Sequence, residues 1–217
     1  MSITNNNQRG LVIISELVTA GRPEFREVYR WLQSNGAALP RNTLGHLYGT
    51  VRTLTGANAT TTRFVSTLRE VTSMSSIKEV DVILHLHGGP NRLYFANGSI
   101  RTSTLRDRIA ALGAEKRLRA LYSTACYGSS HADDFVSAGF TCASGAVAVN
   151  ANSPIEFPVF LTMWASGFKF KDCINTAENH LGSIPFDVAA RIALGDGHTV
   201  NSDKRVHGNG NTTIRTT

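Results

Sequence analysis

Cysteine is scarce in this chain. Its 217 residues hold three, Cys126, Cys142 and Cys173, with no CxxC pair. An odd, sparse set argues against a disulfide framework and against a zinc ribbon, and leaves buried thiols or one reactive thiol among bland ones. A secretory signal is also missing: the opening "MSITNNNQRG" is polar and lacks the basic, apolar, small-residue pattern. No hydrophobic run is long enough to span a bilayer, since "LVIISELV" is short and contains Glu16. These absences together predict a soluble, cytoplasmic protein without a membrane span. There is no internal repeat. The net charge is +6, part of it at Arg101, Arg106, Arg108, Lys116, Arg117 and Arg119, and no aromatic residue interleaves with that cluster. It reads as a solvated helix face, and nucleic acid is not an expected partner.

The 41% hydrophobic and 18% charged residues suit one sizeable domain with a real core. Residues 1–9 read as a flexible start, 10–200 as the domain and 201–217 as a frayed tail. Continuous apolar runs at 10–15, 80–86 and 118–125 predict strands covered on both faces, with further strands at 50–56 and 141–150. Helical spacing covers 23–36, 59–74, 103–112 (with Ser103 as N-cap), 130–139, 153–166 and 169–182. The stretch 38–49 reads as a loop, and Asn97-Gly98 marks a hairpin. Strands alternating with helices imply an α/β fold, a mostly parallel sheet sandwiched between helices, whose ligands bind beyond the carboxyl ends of the strands.

Two strands release a reactive side chain at that end. "DVILHLHGG" (81–89) ends in His87-Gly88-Gly89, and "LRALYSTACYGSS" (118–130) delivers Cys126 and then Gly128. Singly, each is ordinarily structural: a hydrogen-bonded His, a small core Cys. Jointly they hold the parts of an acyl-transfer site. A thiol attacks as thiolate, an imidazole takes and returns its proton, and glycine turns leave backbone N–H groups open to an oxyanion.

Hydrophobic strand, His-Gly, hairpin, helix, hydrophobic strand, Ala-Cys-x-Gly: this order resembles the caspase-like clan of cysteine peptidases. Cys126 follows His87 by 39 residues, against about 50 in caspases themselves. Further stretches are similar, among them "ANATTTRFVSTLREV", "LYFANGSI", "FVSAGFTCASGAVAVN", "FPVFLTMWASGFKFKDCINTA" and "LGDG". They cover roughly residues 10–197, and the chain looks closest to compact bacterial members. The resemblance implies a cysteine endopeptidase acting on a protein or peptide substrate without a cofactor, in a bacterial defence or cell-death setting. It also implies that an activating protein partner is a candidate. It makes Cys126 the nucleophile, His87 the general acid/base, and the N–H groups of Gly88 and Cys126 the oxyanion donors. Two positions depart from it. Leu86, not Gly or Ser, precedes the His. Thr124 stands two before the Cys, where caspases carry Gln and metacaspases Asp, so neither preference transfers.

Substrate contacts are open among several residues. Arg22 would select an acidic side chain, and Glu16 or Asp133 a basic one; Asn150 borders the last apolar strand. Three rivals remain. His85 and His87 point to one face of a strand and, with Cys126 and His131, make a four-ligand zinc set. A catalytically silent binding module would keep the same fold. A basic nucleic-acid adaptor is the third.

Overall fold

The computed structural model describes residues 4–179, 184–195, 197 and 199–216. Its centre is a sheet in the order β2-β1-β3-β6-β7-β8. The strands are β1 (Arg9–Glu16), β2 (Thr50–Thr55), β3 (Glu79–Gly89), β6 (Leu118–Ser123), β7 (Cys142–Ala146) and β8 (Lys204–Gly208). The first five run parallel, and β8 closes the edge antiparallel to β7. A hairpin, β4 (Arg92–Phe95) and β5 (Gly98–Arg101), continues from the end of β3, with His87 opposite Tyr94.

Alternation along each strand builds two cores. Val12, Ile14, Val82 and Leu84 face α2 (Thr61–Ser73), α3 (Thr102–Ala110) and α4 (Ser129–Ser137), packing with Phe64, Leu105 and Phe135. Leu11, Ile13, Ile83 and Tyr122 face the other way. They meet α1 (Arg26–Leu44), α5 (Ser153–Ala165) and α6 (Phe170–Asn179) through Leu44, Phe157, Phe160 and Ile174. A seventh helix, α7 (Ile184–Leu194), follows. This is the expected helix–sheet–helix sandwich. No described helix is long and apolar enough to cross a membrane.

Several local expectations are corrected. Residues 38–44 are helix, not loop: α1 runs through Pro40 because Pro40 and Leu44 stay on its buried face. Helix α3 is capped at Arg101, not Ser103. The tail is not frayed: β8 adds a strand to the sheet, and Ile214 is buried against the α5 layer. Residues 4–9 are not loose either, since Arg9 is buried and bonds Thr4 and Asn6. Arg119 is no surface charge: it is fully buried in a bidentate pair with Asp81. Residues 180–182 of the second closing helix and Asp196 of "LGDG" lie outside the described residues.

Candidate active site

The chain leaves β6 at Ser123 and stays on the sheet for one more bond, Thr124 N–H to the Leu84 carbonyl at 2.9 Å. It then turns sharply. Gly128 N–H returns to the Ala125 carbonyl at 3.2 Å, and Tyr127 sits at φ +56°. A bulky residue in that left-handed region costs about 1–3 kcal/mol, so the turn carrying Cys126 is held against local preference by its surroundings. One hold is the Tyr127 N–H to Ala148 carbonyl bond of 2.7 Å.

β3 brings its own end to the same place. A Cβ on Gly88 would stand 2.2 Å from the Cys126 carbonyl oxygen and 3.0 Å from both Ala125 Cβ and His131 Cε1. Only glycine lets the two strand ends touch here. His87 and Cys126 both line one cleft of about 610 Å³, walled by the segment after β1, α1, the segment after β7, and α7.

The His87 ring is anchored. Its Nε2 lies 2.8 Å from the Leu17 carbonyl, and Tyr29 of α1 meets it edge-on at 4.8 Å. A carbonyl only accepts, so Nε2 carries the proton and Nδ1 is left as the basic nitrogen. Burial pushes the imidazole below its ordinary 6.5, against the Leu17 carbonyl and the Glu16 charge, which both raise it. Burial likewise pushes the Cys126 thiol above 9.0, opposed by the Asn150 N–H and the positive charge of Lys204. At neutral pH the resting pair is thiol and neutral imidazole.

A buried polar row supports the sulfur. Asn150 donates its backbone N–H to Cys126 Sγ at 3.4 Å, and its Nδ2 to the Thr124 carbonyl at 3.0 Å and to Glu156 Oε1 at 3.3 Å. Glu156 is ion-paired with Lys204 of β8, both side chains 1% exposed. Thr124 Oγ1 and His85 Nδ1 share a 2.7 Å hydrogen bond. His85 is buried, stacked on Phe157, and its pKa falls to about 4 through desolvation. Gly36 of α1 makes room for that ring, since a Cβ there would come 2.2 Å from His85 Cδ2.

Of the sequence-derived candidates, His87, Gly88, Cys126, Thr124, Arg22 and Asn150 meet on the cleft. Glu16 does not. It is buried and turns back to accept the Thr19 N–H at 2.6 Å. Asp133 is also elsewhere: it is exposed on α4 and paired with His207 at 2.6 Å. The zinc set comes apart because His131 Nε2 donates to the Gly89 carbonyl at 2.7 Å and His85 is tied to Thr124. No cluster of three or more His, Cys, Asp or Glu suited to a metal occurs among the described residues.

Sequence reasoning missed the Leu17 carbonyl, Tyr29, Glu156 and Lys204. Backbone carbonyls leave no trace in a sequence. Glu156 does leave one, as the lone charge in the otherwise apolar "SPIEFPVFLTMWASG".

No family model and no curated protein sequence matches this chain. Solved structures do. The Drosophila initiator caspase Dronc aligns over 98% of this chain and 84% of its own, with a TM-score of 0.58 at 10% identity. Caspase-1 from Spodoptera frugiperda aligns over 94% and 88%, with a TM-score of 0.61 at 12% identity. The chain has the caspase-like fold. At such identities the likeness speaks for the architecture alone, and the case for chemistry in this caspase-like domain rests on its own side chains.

Proposed function

We propose that the chain is a cysteine endopeptidase with Cys126 as nucleophile and His87 as general acid and base. The observation that carries this reading is the meeting of both side chains on one open cleft, where Gly88 is pressed against the Cys126 turn. As Cys126 Sγ attacks the scissile carbonyl carbon, its proton passes to His87 Nδ1 and the carbonyl oxygen becomes an oxyanion. The backbone N–H groups of Gly88 and Cys126 receive that charge. Among the described residues, the Cys126 N–H has no carbonyl acceptor. The C–N bond then breaks, the amine leaves with the proton from His87, and a thioester remains. Water, deprotonated by His87, attacks the thioester; the C–S bond breaks and the proton returns to sulfur. The Leu17 carbonyl and Tyr29 position the imidazole, and the Asn150–Glu156–Lys204 row positions the sulfur.

The substrate is a protein or peptide lying along the cleft past Thr124, Arg22 and Asn150. Arg22 is exposed at the rim, where a charge steers encounter more than it sets affinity.

Turnover of a quenched fluorescent peptide library by wild type, Cys126→Ala and His87→Ala tests the reading. Both variants lose activity, by at least about 100-fold for His87→Ala, while remaining cooperatively folded. Full activity in either contradicts the dyad. A wild type that binds peptides but never cleaves them supports the silent module instead.

A further inference from the structure

Beside the main cleft lies a side pocket of about 230 Å³ between α1 and α5. Its wall includes Trp31, Leu32, Leu39, Pro154 and Phe157, and His85 lies at its inner end. Trp31, Leu32, His85, Ser153 and Pro154 also line the main cleft, so the two spaces adjoin and share a wall. The pocket adjoins the nucleophile closely. His85 is hydrogen-bonded to Thr124, two residues before Cys126. No Asp, Glu, Lys or Arg lines it among the described residues.

We propose that this side pocket takes a large apolar side chain, aromatic or branched aliphatic, from the substrate residue immediately before the scissile bond. The inference rests on the peptidase reading and names its substrate class. Size and chemistry both point this way. An aliphatic cavity of about 150 Å³ accepts a benzene ring, so a phenyl or isobutyl group fits here. A carboxylate or guanidinium would be stripped of water without a counter-charge. The cation at the rim, Arg22, is absent from the pocket wall. Thr124 fits the same picture, because a charge at that position would have to be buried beside His85.

Peptides identical except for Phe, Leu, Ala, Asp or Arg before the scissile bond provide the test. Wild type cleaves the Phe or Leu peptide with a kcat/KM about 10-fold or more above the Ala peptide, and the Asp and Arg peptides more slowly than the Ala peptide. Trp31→Ala removes an exposed wall of the pocket and shrinks the Phe-to-Ala ratio to under about threefold. Ser153→Phe, which fills the pocket mouth, does the same from the opposite side. Best cleavage of the Asp or Arg peptide, a flat Phe–Leu–Ala series, or an unaltered ratio in both variants overturns the proposal. Should wild type cleave none of them, the same peptides, fluorescently labelled, are titrated into Cys126→Ala. Tighter binding of Phe or Leu than Ala upholds the pocket while the peptidase reading falls. Equal binding defeats both.

Discussion

At the amino ends of β3 and β6, Asp81 and Arg119 form a bidentate pair, with N–O distances of 2.9 and 2.7 Å. Tyr48 adds a hydroxyl to Asp81, Trp164 donates to Tyr48 at 3.1 Å, and Arg119 holds the tail through the Ile214 and Thr216 carbonyls. Nearby, Arg117 reaches the carbonyls of Thr72, Met74 and Ile77. At the carboxyl ends of the same strands the accounting is poorer. Glu16 Oε2, Asn150 Oδ1 and Glu156 Oε2 are buried without a hydrogen-bond partner among the described residues, and Tyr127 is at positive φ. At one end the Asp81–Arg119 pair and its neighbours are joined to one another, with Glu79 beside them pushed up to about 7 by burial; the other end carries strain and unspent polarity around Cys126. The difference separates an end built for stability from the end that carries the proposed chemistry, since strained and under-satisfied groups gather where a site needs them.

The contrast breaks most readily at the amino end. Arg119→Met leaves Asp81 buried and unpaired, which costs about 3–5 kcal/mol and lowers the melting temperature by roughly 10 °C. Turnover per folded molecule should hold. A loss of turnover with an unchanged melting temperature would mean that the two ends are not separable.

At the carboxyl end the largest stability effect is acidic. His85 stays neutral when folded down to about pH 4, whereas the unfolded ring titrates near 6.5. Between those values the unfolded state binds the extra proton, so stability falls as pH drops from 6.5 towards 4, by on the order of 3 kcal/mol. His87 and His131, also lowered by burial, act in the same direction as His85, whereas Glu79 and Glu178, raised to about 7 by burial, bind protons in the folded state over the same range and offset part of that loss. Urea unfolding at pH 7 and pH 4.5 should show a smaller drop for His85→Gln than for wild type. Equal drops would remove His85 from the explanation.

Tyr127→Gly is the finest probe. Glycine tolerates φ +56°, so the variant gains about 1 kcal/mol in the folded form. Turnover should fall, because the turn no longer holds Cys126 in one place. A variant that is both more stable and equally active would show the strain to be idle.

Much of the fold was legible beforehand because the central strands are short continuous apolar runs, and His87 and Cys126 stand at the ends of two of them. The meeting of His87, Gly88 and Cys126 on one cleft was readable for that reason. The tail was not: "DKRVHGNG" has too few apolar residues to announce β8, whose place comes from pairing with β7. Arg119 was hidden because a cation inside a strand looks like surface until its buried partner is known. Glu16 and Asp133 failed as pocket candidates because a loop position does not say which way a carboxylate turns. The side pocket depends on α1 crossing α5, a contact between residues more than a hundred positions apart.

The most direct measurement is the rate at which a peptide acyloxymethyl ketone alkylates Cys126, followed by intact mass, in wild type and in His87→Ala at neutral pH. With the thiol protonated and the imidazole neutral at rest, wild type should give one adduct, located at Cys126, and His87→Ala should react at least tenfold more slowly. An adduct at Cys142 or Cys173, or equal rates in the two proteins, would contradict a working pair in the cleft.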